Sequence, residues 1–203
     1  MSKAPKKRSI ILPFVIGIFL GITAKLVDVP NITYRFPIFD DVMARFGIWV
    51  WAAAFIAILS KSPLFAAVRS FVFFVGMLSA YYGYTILFLK FFPKSQIVLW
   101  SCIAMITPFC GFLIWHIHLN KWFANLIASF PFILFFTEWY LTSEDTQLLF
   151  IPYLCMALSW LSAVPTNKKR LFSLLYGLSI SIILILLIRA EIITNIYERL
   201  LNI

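Results

Sequence analysis

The sequence is poor in charge, and poorest in acid. Of its 203 residues 12% are charged, with 17 lysines and arginines against eight aspartates and glutamates; soluble domains average roughly 25%. With 63% hydrophobic residues and a mean hydropathy of +0.96, too little polar surface remains to coat a water-soluble core. Catalytic signatures are missing as well. There is no phosphate-binding glycine loop, no G-x-S-x-G turn, no H-E-x-x-H and no dinucleotide fingerprint. Cysteine is scarce: Cys102, Cys110 and Cys155 all sit in apolar runs, none at a spacing such as C-x2-C. Cys102 and Cys110 would stand ~12 Å apart along a helix, beyond disulfide reach. The expectation is three small packing residues, with no metal, cofactor or redox role. The net charge of +9 does not indicate nucleic acid, because the basic residues are scattered between apolar spans, where such charge sets orientation in a membrane.

Long apolar runs are what the chain has in quantity. Residues 71–89 hold nineteen residues without a charge, between Arg69 and Lys90. As a helix they would extend about 28 Å, close to the ~30 Å hydrocarbon thickness of a bilayer. Repeated along the chain, this pattern predicts an all-α, polytopic transmembrane bundle forming one domain over residues 1–203. Seven spans can be drawn, at about 9–27, 46–60, 71–89, 97–119, 122–141, 148–164 and 171–188; six is the rival count, if the short second or the last segment fails to cross. The second is expected to begin near Asp41, since Asp40 and Asp41 suit a helix N-terminus. The basic N-terminal residues Lys3, Lys6, Lys7 and Arg8 precede an apolar run like the start of a signal peptide, but the small-x-small cleavage site is missing, so an uncleaved first span is expected.

Charge orients the bundle. With the N-terminus in the cytoplasm, seven crossings place ten basic residues inside: Lys3, Lys6, Lys7, Arg8, Lys61, Arg69, Lys121, Lys168, Lys169 and Arg170. All the acids fall outside: Asp28, Asp40, Asp41, Glu138, Glu144, Asp145, Glu191 and Glu198. The basic bias carries the weight and predicts N-inside, C-outside. Connections are short except 28–45, an outer loop with Pro30, Pro37, Tyr34, Phe36 and Phe39 expected to lie on the membrane surface. No soluble domain fits, and no internal repeat is visible.

Several groups of residues merit a functional reading beside a packing one. On the third span Gly76, Ser79, Ala80 and Gly83 make a small-residue side suited to close helix approach. Tyr81, Tyr84 and Thr85 lie opposite, and their hydroxyls would lack partners in lipid; they are expected to face the bundle, lining a cavity or bonding a neighbouring helix. Gly17, Gly21 and Lys25 are spaced four apart, with Asp28 in ion-pairing reach of Lys25; Lys25 is either a cation at the outer mouth for an anionic group or a snorkelling lysine. Pro108 and Pro131 flank the turn near Asn120-Lys121 at similar depth, so their freed carbonyls would meet a ligand or mark ordinary kinks. His116 and His118 suggest metal or proton transfer, but a helix turns them ~160° apart, and Asn125 is the expected partner of His116. Glu138, beside Trp139-Tyr140 at the outer interface, is a candidate ligand or proton site, or an ion-pair partner of Lys25, Lys90 or Arg189. Ser173, Gly177 and Ser181 form a packing face without a base. Asn31-Ile32-Thr33 has the form of a glycosylation acceptor.

Gly47-Ile48-Trp49-Val50-Trp51-Ala52-Ala53-Ala54-Phe55, Ala66-Ala67, Ser79-Ala80-Tyr81-Tyr82-Gly83-Tyr84 and Thr107-Pro108-Phe109-Cys110-Gly111 resemble a family of small bacterial membrane proteins of unknown function. The resemblance covers about the first half of the chain, implies a bacterial plasma-membrane protein and supplies no activity. The function expected is a small transporter or ligand-binding membrane subunit. Its outward-facing polar cavity would be lined by Tyr81, Tyr84 and Thr85, with Lys25 and Glu138 nearer the mouth. Ala53-x3-Ala57 would offer a docking face for a partner membrane protein or ATPase module. The alternatives are a structural or immunity-type protein acting by contacts and an intramembrane lipid-modifying enzyme; the lack of an acid/base pair at matched depth argues against the last.

Overall fold

The computed structural model describes residues 8–28, 37–119, 121–142 and 149–189. Among them every regular element is helical: α1 (Arg8–Val27), α2 (Pro37–Ala44), α3 (Phe46–Ile58), α4 (Pro63–Phe88), α5 (Lys94–Trp115), a 3-10 turn (His116–His118), α6 (Trp122–Thr142), α7 (Phe150–Ala163) and α8 (Asn167–Arg189). Lys3, Lys6, Lys7, the Asn31-Ile32-Thr33 triplet, Asn120, Glu144, Asp145, Glu191 and Glu198 lie outside the described residues.

Among the described residues five helices are long and apolar enough to cross a membrane: α1, α4, α5 with its terminal turn, α6 and α8. A sixth is reached if α2 and α3, bent by 67° across Arg45, count as one broken span. Their outward faces carry large apolar side chains, among them Phe19 on α1, Met105 and Phe109 on α5 and Leu186 on α8, each more than half exposed. In water such surfaces would drive aggregation; against lipid they cost nothing. This is the architecture of a multi-pass membrane protein in contact with a bilayer. The expected span at 148–164 is represented by α7, whose 14 residues reach only about 21 Å, short of the ~30 Å hydrocarbon layer.

Two boundaries differ from the sequence expectation, each for a local reason. The third span begins at Pro63 rather than at Phe71. Ser62 caps it, its Oγ accepting from the Phe65 N–H at 3.3 Å, and Pro63 occupies the first turn, where no N–H is needed. Arg69 is therefore inside the helix, and its Nη1 donates to Ser60 Oγ at 3.1 Å. The second span, taken as α2 and α3 together, begins at Pro37 with Asp40 in its first turn, and is bent at Arg45 rather than continuous. Trp49 Nε1 donates to the Met43 carbonyl at 3.1 Å, tying α2 to α3 across the bend.

The chain divides into two compact units, residues 1–119 and 120–203. In the first, α1 and α4 pack most extensively, followed by α4 and α5, with α3 against both α4 and α5. The G-x3-G of α1 makes its contact. A Cβ built at Gly17 would stand 2.2 Å from the Phe73 carbonyl oxygen, and one at Gly21 would stand 2.4 Å from that of Met77. From the α4 side Gly76 meets the Phe14 carbonyl in the same way, whereas Gly83 has nothing within 4 Å and Ser79 is exposed. Only the first turn of the expected small-residue side is a packing surface. The core here joins Ala24, Trp49, Ala52, Ile56, Phe73, Phe74, Met77 and Ala104.

In the second unit α8 lies along α6, and α7 packs on α6 more lightly. Ser173, Gly177 and Ser181 form the buried stripe of α8. Gly177 accommodates the Phe132 side chain. Ser181 Oγ lies 2.7 Å from the Gly177 carbonyl of its own helix and 3.3 Å from the Ile133 carbonyl of α6.

Candidate functional site

The site is built at the end of α1. Lys25 occupies the last turn of that helix, where the helix dipole favours a cation. Its ammonium forms an ion pair with Asp28, three residues on, and stands 4.9 Å over the Tyr81 ring of α4. Tyr81 completes the triangle, its hydroxyl donating to the same Asp28 oxygen at 3.3 Å. The close α1–α4 approach brings these groups together: with Gly21 against Met77, Lys25 is set one turn on beside Tyr81. The Lys25 residue is 9% exposed, and its charge is neutralised within the chain, so it does not stand open to an anionic group.

Beside the triangle lies an open pocket of about 320 Å³, whose wall includes Met43, Trp49, Met77, Tyr81, Tyr82 and Trp100. Four helices contribute: α2, α3, α4 and α5. Tyr81 and Tyr82 meet edge to face at 5.2 Å, and Trp100 is stacked on Phe46 at 5.2 Å. With the Trp49 N–H committed to the Met43 carbonyl, that indole offers the pocket a ring rather than a donor. Asp40, on α2, lies within electrostatic reach of Asp28, Asp41 and Lys25.

Of the residues expected to line a cavity, Tyr81 and Lys25 come together. Thr85 is buried, but its hydroxyl donates back to the Tyr81 carbonyl at 2.9 Å, the usual local resolution for a threonine inside a helix. Tyr84 packs its ring on Phe88 at 4.7 Å. Glu138 lies half-buried on α6 and belongs to the second unit. Trp49, Tyr82, Trp100 and Asp40 were not among the residues expected at a cavity. The two tryptophans read as ordinary apolar-span residues, and Asp40 as a cap; the fold-back of α2 through Met43 has no motif.

The other candidates resolve into packing. Pro108 cannot donate to the Ala104 carbonyl, and Thr107 Oγ1 donates to that oxygen instead, at 2.7 Å. Near Pro131, fully buried in α6, the Ala128 carbonyl takes the Trp160 indole N–H of α7 at 3.0 Å. The carbonyl that Pro108 frees is thus used within its own helix. His116 and His118 lie on the 3-10 turn, each Nδ1 at 2.8 Å from a carbonyl, of Phe112 and Trp115 respectively. A carbonyl only accepts, so Nδ1 carries the proton in both rings. Among the described residues no group of three or more His, Cys, Asp or Glu is placed to hold a metal ion. All three cysteines are free and exposed on their helices rather than packed inside. Ala57 is fully buried, which removes Ala53-x3-Ala57 as a docking face.

No protein family, curated protein or solved structure matches the chain.

Proposed function

We propose that this protein is a membrane-embedded ligand-binding protein, either a small transporter or the ligand-binding subunit of one, in a bacterial plasma membrane. One observation carries the reading: the pocket of about 320 Å³ walled by aromatic and methionine side chains from four helices, with the Lys25–Asp28–Tyr81 triangle at its side. Ligand sites typically span 300–1,000 Å³ and are mostly apolar with a few polar groups, so the volume suits a small molecule. Seven crossings, with the N-terminus inside and the C-terminus outside, put the pocket on the outer side. They require α7 to cross despite its length. In size and helical build the chain resembles the small substrate-binding subunits of vitamin transporters, for which an ATPase module would be the partner.

The test uses the purified full-length protein in lipid nanodiscs. Melting temperature is followed against a panel of small amines, carboxylates and vitamins. Binding to the pocket is expected to raise it, by roughly 2.7 kcal/mol of stabilisation at a hundredfold excess over Kd. Leu99→Trp, which fills the pocket from an exposed position on its wall, is expected to abolish the shift while the protein remains folded. Stabilisation that survives Leu99→Trp would reject this site. A protein acting only by contacts with other proteins would show no shift at all.

A further inference from the structure

The ligand-binding reading leaves the chemistry of the ligand open. Resting on that reading, we propose that the pocket selects a small organic cation, an ammonium with an apolar body. The geometry supplies a cation seat that is already in use: the Lys25 ammonium stands over the Tyr81 ring at 4.9 Å with the Asp28 carboxylate against it. An aromatic face and a carboxylate sharing one cation is the arrangement by which ammonium ligands are recognised. Tyr82, Trp49 and Trp100 extend the aromatic surface from that seat into the pocket, and the Trp49 N–H is unavailable for anything but its bond to Met43.

Charge on the rim favours the same ligand. Asp40 shares a face of α2 with Met43 and Ala44, three and four residues on, and both of those line the pocket. Its electrostatic neighbours are two acids, Asp28 and Asp41, and one base, Lys25. Lys25 is spent on Asp28. Arg45 and Lys94 form no ion pair with any of these three aspartates. Among the electrostatic neighbours of Asp40 the two acids thus outnumber the one base, and that base is already paired. A neutral ligand would leave their mutual repulsion unrelieved. A cation relieves it and gains the ring faces, and the intramolecular ammonium of Lys25 acts as a tethered competitor for the Tyr81 face.

The test is a pair of isosteres against the full-length protein in nanodiscs: benzyltrimethylammonium and the same molecule with carbon in place of nitrogen. Binding is read by quenching of tryptophan fluorescence. The ammonium is expected to bind about tenfold more tightly than its neutral isostere. Asp40→Asn is expected to lower ammonium affinity severalfold and to leave the neutral compound unchanged, Tyr81→Leu to weaken the ammonium severalfold more than the neutral compound, and Lys25→Met to raise ammonium affinity by vacating the seat. Equal binding of the two isosteres overturns the cation preference while the pocket itself stands. Binding of neither to folded protein overturns the cation preference too. The ligand-binding reading is then judged separately, by whether any panel compound gives a shift that Leu99→Trp removes.

Discussion

At the scale of single residues, the first unit depends on what is missing from glycine. Gly17 and Gly21 let backbone of α1 touch backbone of α4, and the opposing atoms are carbonyl oxygens rather than flexible side chains. Gly21→Ala would bring a Cβ to 2.4 Å from the Met77 oxygen, and neither helix can yield without parting. A loss of about 1–3 kcal/mol is expected, read from the midpoint of thermal or detergent unfolding. It should also move Tyr81 away from Lys25. Gly83→Ala is the contrast: with nothing within 4 Å, the added methyl meets no clash. Its helix propensity then makes the change neutral or stabilising, by up to about 1 kcal/mol. The sequence shows five of the seven glycines at helix-like spacings in apolar runs and cannot separate these two cases, because spacing does not say which side of a helix has a neighbour. The same holds for Thr85 and Thr107. Each satisfies itself on its own helix, a choice of rotamer that residue type alone does not reveal.

At the scale of elements, the start of α4 was legible in retrospect. Ser62-Pro63 is a capping pair at the head of an apolar run, and the charge of Arg69 masks it by seeming to end the span. Ser62→Ala removes the acceptor for the Phe65 N–H and is expected to cost about 1 kcal/mol. Hydrogen exchange should localise the effect, with faster exchange at Phe65 and its neighbours and little change beyond Phe73. The beginning of α4 is also where α3 and α5 are tied together. Ser60 Oγ accepts from Arg69 and donates to the Ile56 carbonyl, while the Ser60 carbonyl takes the Trp115 indole N–H at 2.9 Å. One residue thus serves three helices. The separation of α2 from α3 follows from Arg45, whose extended backbone, at φ −93° and ψ 156°, breaks the helix before Phe46. Neither proline nor glycine marks that break.

At the scale of the whole molecule, the count of crossings turns on two elements, the bent α2–α3 pair and the short α7. In a background with Cys102, Cys110 and Cys155 replaced, single cysteines at Lys61, Lys90 and Lys168 can be labelled with a membrane-impermeant maleimide. Seven crossings predict that Lys61→Cys and Lys168→Cys react only from the cytoplasmic side and Lys90→Cys only from outside. With Lys61→Cys and Lys90→Cys reacting as expected, reaction of Lys168→Cys from the outside would mean that α7, with its 14 residues, does not cross. The placement of basic residues would then no longer follow the charge rule, since Lys168, Lys169 and Arg170 would lie on the far side of the membrane.

Composition and periodicity by themselves determined that the chain is helical and lives in lipid, where its long apolar stretches run, and which small residues could bring helices together. These properties are local: each follows from the hydropathy of a window or from a spacing of four, and a bilayer reads them without reference to the rest of the fold. Tertiary structure alone decided that Tyr81 joins the Lys25–Asp28 pair, that α2 turns back to close a pocket, and that the tryptophans at 49 and 100 form its wall. Those contacts join residues that lie tens of positions apart in the chain. In a sequence made mostly of interchangeable apolar side chains, only packed helices can say which rings end up facing one another.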